Sequence, residues 1–262
     1  MSVARLSQAF KKRKALVTYL MAGDGGAQKT VDAVVALAQS GADVIELGFP
    51  FSDPIADGPV IQKAAMRARE AGTTLEGVLE IAKAARARVE VPIVLMGYLN
   101  PVLAYGVERF VARCAECGVD GLIIPDLPPE EAQELSASAS AHDVATVFFL
   151  APTSTPEREA AVVAASTGFV YFVSVTGVTG ARAAAPDIGP HVLRVRSQSK
   201  TPVVVGFGIS SGEQAQRVGA FADGVVVGSA IVDLMARGEP VGPFVAGLRA
   251  GLDRSGTAVP RL

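Results

Sequence analysis

Glu46, Asp53 and Asp57 lie in one short stretch, VIELGFPFSDPIADGP at residues 44–59. The stretch opens as an apolar strand, and Glu46 interrupts it where a core residue would be expected. A carboxylate inside a buried strand is costly unless it is paired, protonated or used. The segment after it carries Pro50, Pro54 and Pro59 with Gly48 and Gly58. That composition neither extends a strand nor starts a helix smoothly, so it predicts a shaped loop. Asp57 can fold from this loop over the strand end. Together the two acids offer proton donation, proton acceptance and a fixed negative charge. The plain alternative is a Glu that reaches water at a strand end, with the other acids in a solvated turn.

Two glycine turns supply a second kind of chemistry. Gly206-Phe207-Gly208 and Gly228-Ser229-Ala230 each follow a short valine-rich strand and precede a helical pattern. Such turns expose backbone N–H groups, and a helix N-terminus favours an anion. Tyr171, inside another apolar strand, can pack or can bond Glu46 or a ligand. Tyr19, Ile61, Leu95, Tyr98, Leu122 and Phe207 are placed to line an apolar pocket. Gly177-Val178-Thr179-Gly180 has the composition of a closing lid or of an ordinary surface loop. Asp126 and Asn100 read as organisers of their loops. Acids, apolar pocket and anion cradle point to acid–base chemistry on an aromatic or otherwise apolar phosphate ester.

The elements that must position these groups alternate between strand and helix. Strands are predicted at 15–21, 44–47, 93–96, 121–124, 145–150, 169–173, 203–205 and 224–227. They are apolar without alternation, as parallel strands covered on both faces should be. Helices are predicted at 3–12, 31–38, 61–71, 75–87, 107–117 and 241–252. Thr73 with Glu76, and Ser210 with Glu213, have capping-box spacing. Thr155-Pro156 starts a further helix. Glu130 and Glu131 are expected in the first turn of another, where acids suit the dipole. Eight βα units with no internal repeat and no linker predict an α/β protein, a single (β/α)8 TIM barrel over residues 1–262 with an extra N-terminal helix. A doubly wound sheet would want a GxGxxG turn after the first strand, and Gly23-Asp24-Gly25-Gly26 lacks that spacing. In a barrel the active site lies at the carboxyl ends of the strands, and the loops after the seventh and eighth commonly hold phosphate.

Composition narrows the function. The chain has 262 residues, 50% hydrophobic and 19% charged, which suits one large core. A net charge of −2 gives no basic field for nucleic acid or an anionic membrane. The run from Lys11 to Lys14 is expected to be the solvated end of the first helix. No signal peptide or membrane-length apolar run is present in the sequence, so a cytoplasmic protein is expected. Cys114 and Cys117 form a CxxC at the end of a helix closed by Gly118, unlike a redox CxxC that opens a helix. With His142 and His191 far apart, no metal site is expected.

At residues 46–59 the sequence closely resembles the signature of tryptophan synthase alpha chains. Further stretches resemble that family in order: Gly97-Tyr98 with Asn100-Pro101, Ile124-Pro125-Asp126-Leu127-Pro128, Gly177-Val178-Thr179-Gly180, and both glycine turns with the residues that follow them. Gly25 departs from the pattern, where Pro is expected. The resemblance implies a lyase that cleaves indole-3-glycerol phosphate to indole and glyceraldehyde 3-phosphate. It implies no cofactor in this chain and an alpha2beta2 assembly with a beta chain that carries pyridoxal phosphate. It implies Glu46, Asp57 and Tyr171 as catalytic residues. Tyr19, Ile61, Leu95, Tyr98, Leu122 and Phe207 would bind substrate, with Thr179, Gly180, Gly208, Gly228 and Ser229 around the phosphate and lid. Rival readings are a stand-alone lyase on the same substrate, a phosphosugar isomerase and a non-catalytic regulatory subunit.

Overall fold

The computed structural model describes residues 2–173, 188–206 and 208–256. Strands β1 (Ala15–Met21), β2 (Val44–Gly48), β3 (Ile93–Met96), β4 (Gly121–Ile123), β5 (Ala145–Leu150), β6 (Val170–Val173), β7 (Val203–Gly206) and β8 (Gly224–Val227) pair in parallel and in sequence order. β8 closes on β1 to complete a barrel. Around it run α1 (Ser2–Gln8), α2 (Ala27–Gln39), α3 (Pro59–Glu70), α4 (Leu75–Arg86), α5 (Leu99–Tyr105), α6 (Val107–Glu116), α7 (Gln133–Ala141), α8 (Pro156–Ala165), α9 (Gly189–Gln198), α10 (Gly212–Gly219), α11 (Ser229–Ala236) and α12 (Val241–Asp253). The expected (β/α)8 barrel with an added N-terminal helix is what forms.

Each strand divides its side chains between two cores, because successive residues point to opposite faces. Leu16, Leu20, Ile45, Leu47, Ile93 and Leu95 pack outward against residues such as Val34, Leu79 and Phe110 of the helices. Val17, Val44, Val94, Ile123, Val147, Tyr171, Val204 and Val226 form the barrel interior. Helix α1 plugs the amino end of that interior. Leu6 and Phe10 join the inner cluster, and Phe10 lies 5.8 Å from the Phe169 ring. Gly168 makes room for the plug, since a Cβ there would meet the Leu6 side chain at 2.9 Å.

A recurring clamp sets the strand pairs. Asp43, Asp120 and Asp223 each immediately precede an even-numbered strand and accept an N–H from the strand before. The bonds run from Leu16 N to Asp43 (2.8 Å), Ile93 N to Asp120 (2.9 Å) and Val203 N to Asp223 (2.8 Å). Ahead of β6 a related bond forms three residues before the strand, where the Thr167 hydroxyl accepts from Thr146 N at 2.9 Å. Three of the four odd–even strand pairs therefore carry the same clamp. A sequence search for repeats misses it because only one side chain per unit carries it. Arginines neutralise the aspartates: Arg13 and Arg249 at Asp43, Arg5 and Arg86 at Asp120, Arg196 at Asp223.

Several local expectations are corrected. Helix α1 ends at Gln8, so the basic run is not its solvated end. Lys11 and Lys12 are exposed, Arg13 pairs with Asp43, and Lys14 is buried with its ammonium on the Ala222 carbonyl. The cap of α4 is Thr74, whose hydroxyl accepts from Gly77 N, while Glu76 turns to Arg113 and Tyr105. The cap of α10 is Ser211, one residue later than the spacing suggests. Glu130 and Glu131 sit in a turn ahead of α7, and Glu130 is drawn to Arg158 instead. Helices α5 and α9 carry no strong periodic signal and are found only in the structure. Thr155 caps α8 as expected.

The clamp at Asp120 is testable. Its carboxylate is fully buried between two arginines and a backbone N–H. Asp120→Ala strands those groups, and losing one partner of a buried ion pair costs about 3–5 kcal/mol. Urea denaturation should show a loss of that size. A loss below about 1 kcal/mol would mean the clamp is ornamental.

Candidate active site

On β2 the inward positions are Val44, Glu46 and Gly48, so the strand that builds the core also delivers a carboxyl to the barrel interior. Glu46 is 1% exposed, and its Oε2 finds no hydrogen-bond partner among the described residues. Burial, reinforced by the charge of Asp57, pushes its pKa up to about 8. Asp57 stands at the end of the loop from β2 to α3. Burial raises it to about 6, against a hydrogen bond from Tyr98 that holds it down. The two acids thus part company near neutral pH, Glu46 carrying its proton and Asp57 its charge.

The loop that carries Asp57 is braced from β3. The Tyr98 hydroxyl accepts from Ala56 N at 3.0 Å and donates to the Asp57 carboxylate. Its ring stacks on Phe51 with centroids 5.4 Å apart. Phe49 docks edge-on against Phe110 and lies so close over Gly97 that a Cβ there would sit 2.2 Å from the ring. Leu99 N bonds Asp126 at 3.0 Å, which ties the start of α5 to the next loop.

A cavity of about 380 Å³ opens between these groups. Of the residues singled out in sequence, Glu46, Asp57, Tyr171, Tyr19, Ile61, Gly208, Gly228 and Ser229 line it together. At one end lies the start of α11, where Gly228 caps the helix without a side-chain bond and Ser229 and Ala230 of the first turn line the space. Gly208 has φ +78°, a conformation glycine adopts freely.

Other expectations fail. Leu95 and Leu122 do not line the cavity. They lie on the outward faces of β3 and β4 and pack in the helix layer, because alternation gives the inward places to Val94, Met96, Gly121 and Ile123. Tyr98 also stays outside the cavity wall and serves the Asp57 loop from behind. Phe51 is half-buried on Tyr98. The exposed part of the loop is Ser52, Asp53, Ile55 and Ala56, with Ile55 82% exposed. Asn100 is exposed on α5. Thr179, Gly180 and Phe207, with the rest of the 177–180 loop, lie outside the described residues. The lining residues that sequence reasoning missed include Met96 and Val226, which strict inward alternation would have found, and Ile209 and Ser210 beside the glycine turn. Cys114 and Cys117 are free and buried, and burial raises both thiols. No cluster able to hold a metal occurs among the described residues, and no described helix is long and apolar enough to cross a membrane.

A closed parallel barrel with two acids and a helix start around one cavity at the carboxyl ends of its strands defines a protein of the (β/α)8 class. Comparison with known proteins narrows the class. The family model for the tryptophan synthase alpha chain matches residues 6–241. A relative named tryptophan synthase alpha chain from Geotalea uraniireducens is 51% identical over 255 residues, covering 95% of this chain and 96% of the relative. A Mycobacterium tuberculosis tryptophan synthase structure aligns with TM-score 0.87 at 42% identity, over 96% of each chain. The alpha chain from Legionella pneumophila aligns with TM-score 0.85 at 35% identity, over 95% of this chain and 97% of that one. The chain belongs to the tryptophan synthase alpha chain family.

The raised acids have a thermodynamic signature. Both bind protons more tightly folded than unfolded, so their contribution to stability is full below their ordinary pKa values. It is lost as pH rises through about 6 and then about 8. Glu46→Gln removes the larger part of that loss. It should be more stable than wild type by roughly 3–5 kcal/mol near pH 9, at about 1.4 kcal/mol per tenfold in proton affinity. The difference should vanish near pH 4. A pH-independent difference in urea denaturation would show that Glu46 is not held protonated.

Proposed function

We propose that the chain is the alpha subunit that cleaves indole-3-glycerol phosphate by a retro-aldol step. The observation that carries this reading is the pair of acids with separated pKa values in one cavity that ends at a helix N-terminus. The neutral carboxyl of Glu46 gives its proton to C3 of the indole ring, and the ring nitrogen becomes cationic. The Asp57 carboxylate, bonded to the ring N–H, stabilises that charge as it develops. Glu46, now ionised, takes the proton of the C3′ hydroxyl. The C3–C3′ bond breaks, its electron pair returns to the ring, and C3′ becomes the aldehyde of glyceraldehyde 3-phosphate. Indole leaves and Glu46 is again protonated, so the step balances with no oxidant, metal or cofactor of this chain's own. Tyr171 orients the substrate beside Glu46. The first-turn N–H groups of α11 and the Gly208 turn receive the phosphate. Thr179 and Gly180 would close over it and exclude water.

The partner in this reading is a beta chain carrying pyridoxal phosphate, which consumes the indole. A stand-alone lyase would share every residue named so far, and only turnover with and without a beta chain separates the two. An indole-release assay on indole-3-glycerol phosphate tests the reaction. Wild-type kcat/KM should follow a bell with limbs near pH 6 and 8, set by Asp57 and Glu46. Glu46→Gln should lose about 10²–10⁴-fold in kcat, the usual worth of a general acid–base group. A variant that keeps half the wild-type rate removes Glu46 from the mechanism.

The exposed segment around Asp53 and Ile55 is where a partner can act on Asp57, four residues on in the same braced loop. A beta chain bound there would favour the closed arrangement. Asp53→Ala should then weaken activation by the beta chain and leave the basal rate of the free subunit near wild type. Proportional loss of both rates would assign Asp53 to the turn alone.

A further inference from the structure

Tyr19 makes a contact that the reaction as described leaves unused. On β1 it is the register partner of Glu46 on β2, and both face inward. Its ring leans across β2, where a Cβ on Gly48 would meet the Tyr19 hydroxyl at 2.2 Å. At its other end the ring root lies against the turn after β8, where a Cβ on Gly228 would meet Tyr19 Cβ at 3.3 Å. Gly48 follows Glu46 by one pleat, roughly 6.6 Å toward the mouth. The long axis of the ring therefore runs from the anion cradle at Gly228 to the space on the mouth side of Glu46. Residue 19 is 6% exposed, lines the cavity, and its hydroxyl is bonded to nothing within the described residues. A phenyl ring would fill the same wall, whereas a phenol at a nearly buried position normally has a partner.

We propose that the Tyr19 hydroxyl binds the hydroxylated chain that joins the aromatic ring of the substrate to its phosphate, which makes Tyr19 a specificity-determining residue for a polyol phosphate over a deoxygenated one. The inference rests on the substrate reading given above. Glu46 takes the C3′ hydroxyl and the cradle takes the phosphate, so the C2′ hydroxyl between them is the group that reaches Tyr19. The phenol neither gives nor takes a proton in the bond-breaking step.

The test uses Tyr19→Phe in the full chain, with indole-3-glycerol phosphate as substrate and 3-indolylpropyl phosphate as an analogue that keeps ring and phosphate but has no chain hydroxyls. The chain contains no tryptophan, so fluorescence of a bound indole is read without interference. The variant should lose about 2- to 10-fold in kcat/KM, the worth of one neutral hydrogen bond. It should bind the analogue as wild type does and keep both limbs of the pH profile. Unchanged kcat/KM, or an equal fall in analogue affinity, would make Tyr19 mere wall. A displaced basic limb would mean that it acts through Glu46. If wild type itself releases no indole, the substrate reading fails and the Tyr19 assignment falls with it, an outcome distinct from the other three.

Discussion

The rest of the site depends on the desolvation of one carboxyl. Glu46 sits in the interior of a barrel whose other strands contribute mostly valine, tyrosine and glycine to the same space. In that environment ionisation is penalised more than any nearby donor repays, and the group keeps its proton at neutral pH. Asp57 approaches from a loop and is partly buried, and Tyr98 supplies a hydrogen bond of the kind that Glu46 Oε2 does not find among the described residues. Two identical functional groups thereby acquire different proton affinities from their surroundings alone. The contrast needs a rigid loop, because a carboxylate free to swing into water would lose both its raised pKa and its position. The Tyr98 hydroxyl, the Phe51 stack and the Phe49 dock supply that rigidity from β3 and α6.

Large side chains reach the cavity because small ones give way on the adjoining strand. Tyr19 leans over Gly48, and Tyr171 leans over Gly206, where a Cβ would meet its hydroxyl at 2.5 Å. In both cases the phenol on one strand uses a glycine at the carboxyl end of the next. The arrangement follows from a barrel of parallel strands, in which the inward position of each neighbour lies beside the ring. Glycine costs a strand some conformational entropy, and here that cost opens the volume a ligand would occupy. The two phenols flank Glu46 without crowding it.

Much of this was legible in sequence, and the failures have physical causes. The eight apolar runs fixed the barrel, since nothing but burial on both faces explains strands without alternation. Glu46 stood out because it violates that rule, and Asp57 because its loop is too constrained by proline to be a linker. Leu95 and Leu122 were misplaced because in a run of uniformly apolar residues nothing in composition distinguishes the face toward the barrel from the face toward the helices. Only the register with Glu46, one strand away, resolves it: Val94 pairs with Glu46 and shares its inward face. Tyr98 was read as pocket wall when it is a brace, a difference set by loop geometry that spacing does not encode. The caps at Thr74 and Ser211 each lie one residue later than the spacing suggests because a second hydroxyl adjoins the first, with Glu76 drawn to Arg113 and Gln214 to Ser210. The threefold clamp stays hidden because a lone aspartate before a strand is unremarkable until its bond to the neighbouring strand is seen.

The division of labour between the two ends of the barrel explains how the molecule tolerates its own active site. At the carboxyl ends lie an acid whose Oε2 has no partner among the described residues, glycines where side chains would pack, and a helix start with no side-chain cap bond. Each of these subtracts from stability. At the amino ends lie the aspartate clamps, their arginines, the buried Lys14 and the apolar plug of α1, where almost every polar group is matched. A (β/α)8 barrel separates chemistry from stability in this way because all its strands point in one direction. The consequence for this chain is directional. A substitution at the amino end, such as in the clamp before β4, acts on the cavity only by loosening the whole barrel. A substitution at Gly48 or Gly206 acts on the cavity directly, through the phenol that would have to move. Stability and function in this family member can therefore be altered separately, and the end of the barrel at which a residue sits tells which of the two a change will reach first.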